Sequence, residues 1–125
     1  MMEKVNSNLA PAAVGPYSQA IATKDLLFIS GQLPIDKATN QFAGSDITSQ
    51  TKQSLENIRH ILTVAGLDFS RVVKATVLLS DINDFQAMNK VYGEYFKEPY
   101  PARVAYEVAN LPLNALVEIA VIVEK

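Results

Sequence analysis

The arrangement of apolar and polar residues along the chain predicts strands in both halves and two helices. Residues 17–22 and 26–30 are rich in β-branched and aromatic residues on either side of a short polar turn, which is typical of a hairpin. Residues 36–40 are typical of a turn. Apolar residues then recur at helical spacing between Asp46, which can cap a helix, and Gly66, which can end it.

The polar side of this first predicted helix is expected to face water. Gln50 belongs to that side, and His60 lies near it, where Glu56 four residues earlier is able to reach it. We therefore expect His60, the single histidine of the chain, to be a solvated or paired surface residue and not a catalyst.

The second half of the chain begins with another strand and helix. Residues 72–80 alternate and then become apolar, which predicts a central strand. In the helix that follows, Phe85, Met88 and Tyr92 share one face. We expect this aromatic stripe to belong to the core and not to a cofactor site.

Two C-terminal segments, residues 101–106 and 116–121, are predicted to form strands joined by a turn. The second strand is apolar on both faces except at Glu118. A carboxylate in a buried strand needs a partner, and Arg103 on the folded-back first strand is the nearest candidate. We therefore expect Arg103 and Glu118 to converge in a largely dry place, either as a buried salt bridge or as a functional pair.

Taken in order, these elements predict one two-layer α+β domain over residues 1–125, with two helices on one face of a mixed sheet of about six strands. The strands are apolar on both sides, although only two helices are available to cover them. We therefore expect the uncovered sheet face to meet another subunit, with a pocket at the boundary.

Composition narrows the classes of function. With 49% hydrophobic residues among 125, the chain is expected to be globular, and no apolar run approaches the roughly 20 residues of a membrane span. The N-terminus lacks a signal-peptide core, so we expect a cytoplasmic protein. The absence of cysteine excludes thiol catalysis, and a single histidine leaves no zinc constellation. A net charge of −2 argues against a nucleic-acid surface.

Four short segments occur in order over nearly the whole chain: residues 15–20 (Gly-Pro-Tyr-Ser-Gln-Ala), 29–32 (Ile-Ser-Gly-Gln), 100–103 (Tyr-Pro-Ala-Arg) and 117–119 (Val-Glu-Ile). Together they resemble the signature segments of the reactive-intermediate deaminase (Rid, YjgF-like) family. Four dispersed motifs with consistent spacing are far more specific than any one of them. The chain is therefore identified as a member of that family.

The resemblance implies a homotrimer of chorismate-mutase-like subunits, with three sites in the clefts between neighbours. It also implies hydrolysis of 2-imino acids and their enamine tautomers, such as 2-aminoacrylate and 2-aminocrotonate, to 2-oxo acids and ammonia, without a metal or an organic cofactor. By position, Arg103 matches the carboxylate-binding arginine and Glu118 the catalytic acid. The other matching pocket positions are Tyr17, Ser30, Gly31 and Asn89.

Two positions depart from the commonest family pattern. Ala105 stands where many members carry cysteine, and Ala120 where many carry a further glutamate. The backbone of Ala105 remains available to hold the reacting water, so we expect activity to survive. Ala120 is expected to change the charge of the pocket or the substrate preference.

Independently of the resemblance, the side chains of Arg103 and Glu118 suit this hydrolysis. A guanidinium takes a carboxylate through two parallel hydrogen bonds, and a partly desolvated carboxylate can accept a proton from attacking water. A non-catalytic 2-oxo-acid sensor remains an alternative that uses the same pocket. RNA cleavage, proposed for family relatives, is disfavoured by the acidic balance, and chorismate mutase activity rests on fold analogy alone.

Overall fold

The computed structural model describes residues 2–125 and confirms an α+β fold, with a six-stranded mixed sheet and two helices. The strands are β1 (Glu3–Val5), β2 (Ala20–Ala22), β3 (Leu26–Gln32), β4 (Ile35–Asp36), β5 (Gln41–Phe42), β6 (Val72–Leu79), β7 (Ala102–Glu107) and β8 (Val117–Glu124), and the helices are α1 (Ile47–Val64) and α2 (Phe85–Tyr95). Among the residues described, no helix combines the length and the apolar character needed to cross a membrane.

The strands of the main sheet lie in the order β1-β2-β3-β8-β6-β7, while β4 and β5 form a separate two-stranded sheet. β7 runs parallel to β6, and the other neighbouring strands of the main sheet are antiparallel. A parallel pair requires a crossover connection, which α2 provides. The hairpin predicted for the two C-terminal strands is therefore wrong, because β6 lies between β7 and β8.

Both helices pack against one face of the main sheet. Alternate residues of each central strand point to this face, and in β8 they are Val117, Ile119, Val121 and Val123, each at most 2% exposed. α1 places Leu55, Ile58, Ile61 and Leu62 against them, and α2 places Met88 and Tyr92. Burying one such aliphatic side chain contributes roughly 1.5–3 kcal/mol. This layer is the main hydrophobic core, and it confirms the predicted core role of the α2 stripe.

The opposite face of the main sheet, called the open face here, is not covered within one chain. Phe28, Val104 and Tyr106 lie on it and are 41%, 41% and 51% exposed. Ala120 and Ile122 of β8 and Lys74 and Thr76 of β6 lie between them, so the face is largely apolar with a lysine and a threonine in it. A largely apolar exposed surface on a small protein marks an interaction site.

The N-terminal part of the sheet differs from the prediction. Only Ala20–Ala22 of the predicted strand 17–22 forms β2, and Tyr17 lies before it outside the sheet. Glu3–Val5 pairs with β2, although no strand was predicted there. An edge strand is bonded on one side and tolerates such polar residues, which hides it from a search for apolar alternation.

The first helix confirms its predicted limits but not all of its predicted polar face. Asp46 Oδ1 accepts a 2.8 Å hydrogen bond from the Ser49 amide and caps α1. Gln50, which was predicted to face water, is buried and accepts a 2.9 Å hydrogen bond from the Leu116 amide. Glu56 accepts a 2.6 Å hydrogen bond from the Tyr95 hydroxyl and pairs with Arg59 at 3.3 Å, and among the described residues it forms no ion pair with His60, which was within its reach.

Candidate active site

Arg103 lies near the start of β7 and is held against α2. Its Nη1 donates a 2.7 Å hydrogen bond to Oδ1 of Asn89. The central guanidinium carbon lies 4.7 Å from the ring centre of Tyr92 and 5.5 Å from that of Phe85, which is within cation–π range. These contacts fix the plane of the guanidinium, and a guanidinium with a fixed plane is suited to binding a carboxylate at two points.

A cavity of about 430 Å³ opens beside Arg103 between α2 and the segment that leads into β7. Asn89 and Tyr92 line it on the helix side, and Tyr100 and Pro101 line it on the other side. We call Asn89, Tyr92, Tyr100, Pro101 and Arg103 the arginine half-site. Gly93 also borders this cavity.

Glu118 lies on β8, beside a bulge in β3. The register between these strands shifts between Ile29 and Gln32, so Ser30 and Gly31 form the bulge. The bulge brings the backbone of Gly31 against the Glu118 carboxyl group: a Cβ at position 31 would lie 2.9 Å from Cδ of Glu118 and would overlap its Oε2. Glycine at position 31 therefore makes room for this carboxyl group.

The Glu118 carboxyl group has no cationic partner in the described part of the chain, where the one ion pair joins Glu56 to Arg59. Partial burial removes water from the carboxylate and raises the pKa of Glu118 above its ordinary value. A carboxyl group with a raised pKa exchanges protons at a pH closer to neutrality, which suits a general acid or base.

Arg103 and Glu118 do not converge within one chain, contrary to the prediction. Arg103 is paired with Ala75 of β6, whereas Glu118 is paired with Leu78. Two strand spacings alone separate their backbones by about 10 Å. Their side chains also point to opposite faces, Arg103 toward α2 and Glu118 toward the open face. The buried salt bridge considered from the sequence is therefore not formed within the chain.

The remaining predicted site residues divide between the two locations. Tyr17 and Gly31 line a small depression of about 70 Å³ next to the bulge. The Ser30 hydroxyl donates a 2.6 Å hydrogen bond to the carbonyl of Ser18, which ties the bulge to the segment that carries Tyr17. We call Tyr17, Ser30, Gly31 and Glu118 the glutamate half-site.

Asn89 and Ala105 belong with Arg103. Asn89 holds the guanidinium, and Ala105 follows two residues after Arg103, on the same side of β7. The Ala105 side chain packs against the hydrophobic core. Ala105 therefore offers no side chain to the arginine half-site.

Residue patterns did not single out several residues that shape these two half-sites. The buried Gln19 donates 2.8 Å and 3.1 Å hydrogen bonds to the carbonyls of Pro11 and Ser7, and so anchors the N-terminal segment that precedes Tyr17. The sequence gives little indication of this role for Gln19, because a single glutamine in a predicted strand is common. Gly93 offered a clearer signal, since glycine inside a helical pattern calls for a packing or functional reason.

The chain matches proteins of known family over nearly all of its length. The family model described as Endoribonuclease L-PSP matches residues 7–125. The RutC family protein y4sK of Sinorhizobium fredii is 52% identical over 123 residues, covering 98% of both chains. The 2-iminobutanoate/2-iminopropanoate deaminase of Capra hircus is 52% identical over 118 residues, covering 94% of this chain and 86% of that protein.

The fold agrees with this relationship. The crystal structure of E. coli TdcF with bound serine superposes with a TM-score of 0.93 at 36% identity and covers 98% of both chains. The family model spans nearly the whole chain, the relatives share about half of its residues, and the solved structure shares its fold. The chain therefore belongs to the reactive-intermediate deaminase (Rid) family, whose family model is the one described as Endoribonuclease L-PSP.

Proposed function

We propose that this protein hydrolyses 2-imino acids and their enamine tautomers to 2-oxo acids and ammonia. The observation that carries the proposal is the pair of half-sites: a guanidinium held in a fixed plane, and a carboxyl group with a raised pKa and no cationic partner. The name of the Capra hircus relative supports the substrate class. The serine bound in the E. coli structure supports a site for small amino-acid-like carboxylates.

The two half-sites become one site when copies of the chain assemble, so the proposal includes a homotrimer with its sites between subunits. The exposed apolar residues of the open face, Phe28, Val104 and Tyr106 among them, support such an assembly. In this arrangement Arg103 and Asn89 of one copy face Glu118 and Gly31 of its neighbour. Each copy would then contribute its arginine half-site to one active site of the closed ring and its glutamate half-site to another.

In the assembled site, Arg103 binds the substrate carboxylate through two N–H groups and thereby fixes the position of the imine carbon. Glu118 accepts a proton from water as the water oxygen bonds to that carbon and the C=N double bond becomes single. The carboxyl group returns the proton to nitrogen. Because the imine reacts in its protonated form, the nitrogen then carries three hydrogens, so the C–N bond breaks with loss of ammonia, and the hydroxyl group gives its proton to water to leave the 2-oxo acid.

In this proposal residues 1–125 form one domain, and the assembled copies bind 2-imino acids as substrates and 2-oxo acids as products. A cytoplasmic location stays a prediction from the sequence. The trimer requires no other protein, since both half-sites are present in every copy.

A coupled assay tests the proposed function. A threonine or serine dehydratase generates the imine, and release of the 2-oxo acid is followed with and without this protein. A rate above that of spontaneous hydrolysis, proportional to the amount of protein, supports the proposal. If 2-oxobutyrate binds but turnover never exceeds the spontaneous rate, the protein is a 2-oxo-acid sensor and the proposed reaction is wrong.

A further inference from the structure

Gly93 lies in the last turn of α2, two residues before the helix ends at Tyr95, and glycine is a weaker helix former than alanine. Gly93 does not have the positive φ that would require glycine, unlike Gly15 and Gly66. Nor is it packed against a neighbour, because a Cβ built at position 93 meets nothing within 4 Å. Neither backbone conformation nor packing explains this glycine.

What Gly93 does is leave one wall of the cavity beside Arg103 without a side chain. It follows Asn89 by four residues, so it lies one turn further along the same side of α2. The cavity therefore extends from the polar end, where Asn89 holds Arg103, to an end bordered by Gly93 and Tyr100. Tyr100 is 59% exposed in the single chain.

The walls of the cavity indicate what it accommodates. The cavity is open on one side, and in the proposed assembly the neighbouring copy closes it, so the chemistry of its walls characterises the ligand. Away from Arg103 and Asn89, the walls are the rings of Tyr92, Tyr100 and Pro101 and the bare backbone of Gly93. Aromatic groups pack favourably against such rings.

We propose that Gly93 sets the substrate class of this protein, and that the class is 2-imino acids with a bulky apolar side chain, above all an aromatic one. This inference rests on the proposed function, since it assigns the substrate of the same site. With the carboxylate on Arg103 and the imine carbon toward Glu118 of the neighbouring copy, the third substituent enters the space beside Gly93 and Tyr100. The imine of phenylalanine then gives phenylpyruvate and ammonia by the same addition of water and loss of nitrogen.

Two substitutions of one residue test this inference. Gly93→Leu fills the space with a good helix former, while Gly93→Ala adds one methyl group and serves as the matched control. The substrates are the imine of phenylalanine, generated by an amino-acid oxidase, and 2-iminobutanoate, generated by threonine dehydratase. We expect Gly93→Leu to lower kcat/KM for the aromatic imine at least about tenfold more than for 2-iminobutanoate, whereas Gly93→Ala changes that ratio about twofold or less.

Two kinetic results would overturn the inference. One is wild-type protein that hydrolyses 2-iminobutanoate above background but not the aromatic imine. The other is Gly93→Leu protein in which kcat/KM falls equally for both imines. Neither result contradicts the proposed deaminase function, which fails only if no imine is hydrolysed.

A binding measurement decides the inference even if the reaction is absent. Calorimetric titration with phenylpyruvate and with 2-oxobutyrate compares the two side chains without turnover. If no imine is hydrolysed, selective weakening of phenylpyruvate binding in Gly93→Leu supports a site for bulky side chains, and equal or no weakening overturns it.

Discussion

The Glu118 carboxyl group fills the space that a side chain at Gly31 would need, because a Cβ at position 31 would overlap it. Gly31→Ala must therefore move either the carboxyl group or the β3 bulge. Displacing a catalytic group by about 1 Å can cost about a hundredfold in rate, so we expect hydrolysis of 2-iminobutanoate to fall at least about tenfold. The coupled assay measures the loss, and circular dichroism checks that the variant is folded.

A double-mutant cycle separates displacement of Glu118 from a general distortion. If Gly31→Ala acts through Glu118, the combination with Glu118→Gln should be little worse than Glu118→Gln alone. If the rate losses of the two single variants multiply in the double variant, Gly31→Ala does not act through Glu118, because independent defects add in free energy.

Replacement of Arg103 distinguishes a carboxylate-binding role from a structural one. Arg103→Lys keeps the charge but loses the planar fork, so turnover should fall strongly while the fold persists. Arg103→Ala should in addition weaken binding of 2-oxobutyrate, measured by calorimetry. Arg103 would instead be a structural residue if Arg103→Ala unfolded the protein while Arg103→Lys was fully active.

Substitution of Glu118 separates catalysis from binding. Glu118→Gln keeps the shape but cannot accept a proton, so hydrolysis should drop about a hundredfold or more. Binding of 2-oxobutyrate should be unchanged or tighter, because an ionised Glu118 repels the carboxylate that Arg103 attracts. A hydrolysis rate that stays at the wild-type level in Glu118→Gln is incompatible with the mechanism.

Stability should depend on pH through Glu118. Burial raises its pKa, so the folded chain still binds this proton at pH values where the unfolded chain, with an ordinary value near 4.5, has released it. The contribution of Glu118 to the free energy of unfolding is therefore lost as the pH rises from the pKa of the unfolded chain through the higher pKa of the folded chain. Because glutamine does not ionise, the free energy of unfolding of Glu118→Gln relative to wild type should rise between about pH 4 and pH 7. Urea unfolding at both pH values measures it, and a constant difference would mean that the carboxyl group is not desolvated.

Assembly should depend on the apolar open face. Phe28→Glu places a charge on that face, where a single chain tolerates it but a contact between copies does not. We expect a species of lower mass than the wild-type trimer by light scattering, together with loss of imine hydrolysis. Val64→Glu is the matched control, because Val64 is 56% exposed on α1, away from the open face. Equal behaviour of both variants would argue against the proposed interface.

Local patterns were enough to predict the parts of the fold that depend on local chemistry. α1 was predicted because its apolar residues repeat at helical spacing between Asp46 and Gly66. The strand order was not predicted, since no local pattern encodes that β7 pairs with β6 and leaves β8 on the other side. The buried position of Gln50 was also missed, because its partner, the Leu116 amide, lies 66 residues away along the chain.

The candidate site was predictable in its residue types but not in its geometry. Arg103 and Glu118 stood out because charged groups interrupt apolar strands. Their separation depends on the strand that lies between them and on the sheet face to which each side chain points. Alternation shows which residues of one strand share a face, but not whether two strands direct their charged residues to the same face of the sheet. Gly93 could be noticed as a glycine inside a helical pattern, but the sequence does not show the open space beside it.

The opposite orientation of Arg103 and Glu118 has a consequence for the behaviour of a dilute protein. A chain that carries the two groups on opposite faces cannot complete the proposed site alone, so its activity requires an encounter between copies. Specific activity per chain would then fall on dilution below the dissociation constant of the assembly, while each remaining assembly keeps its full rate.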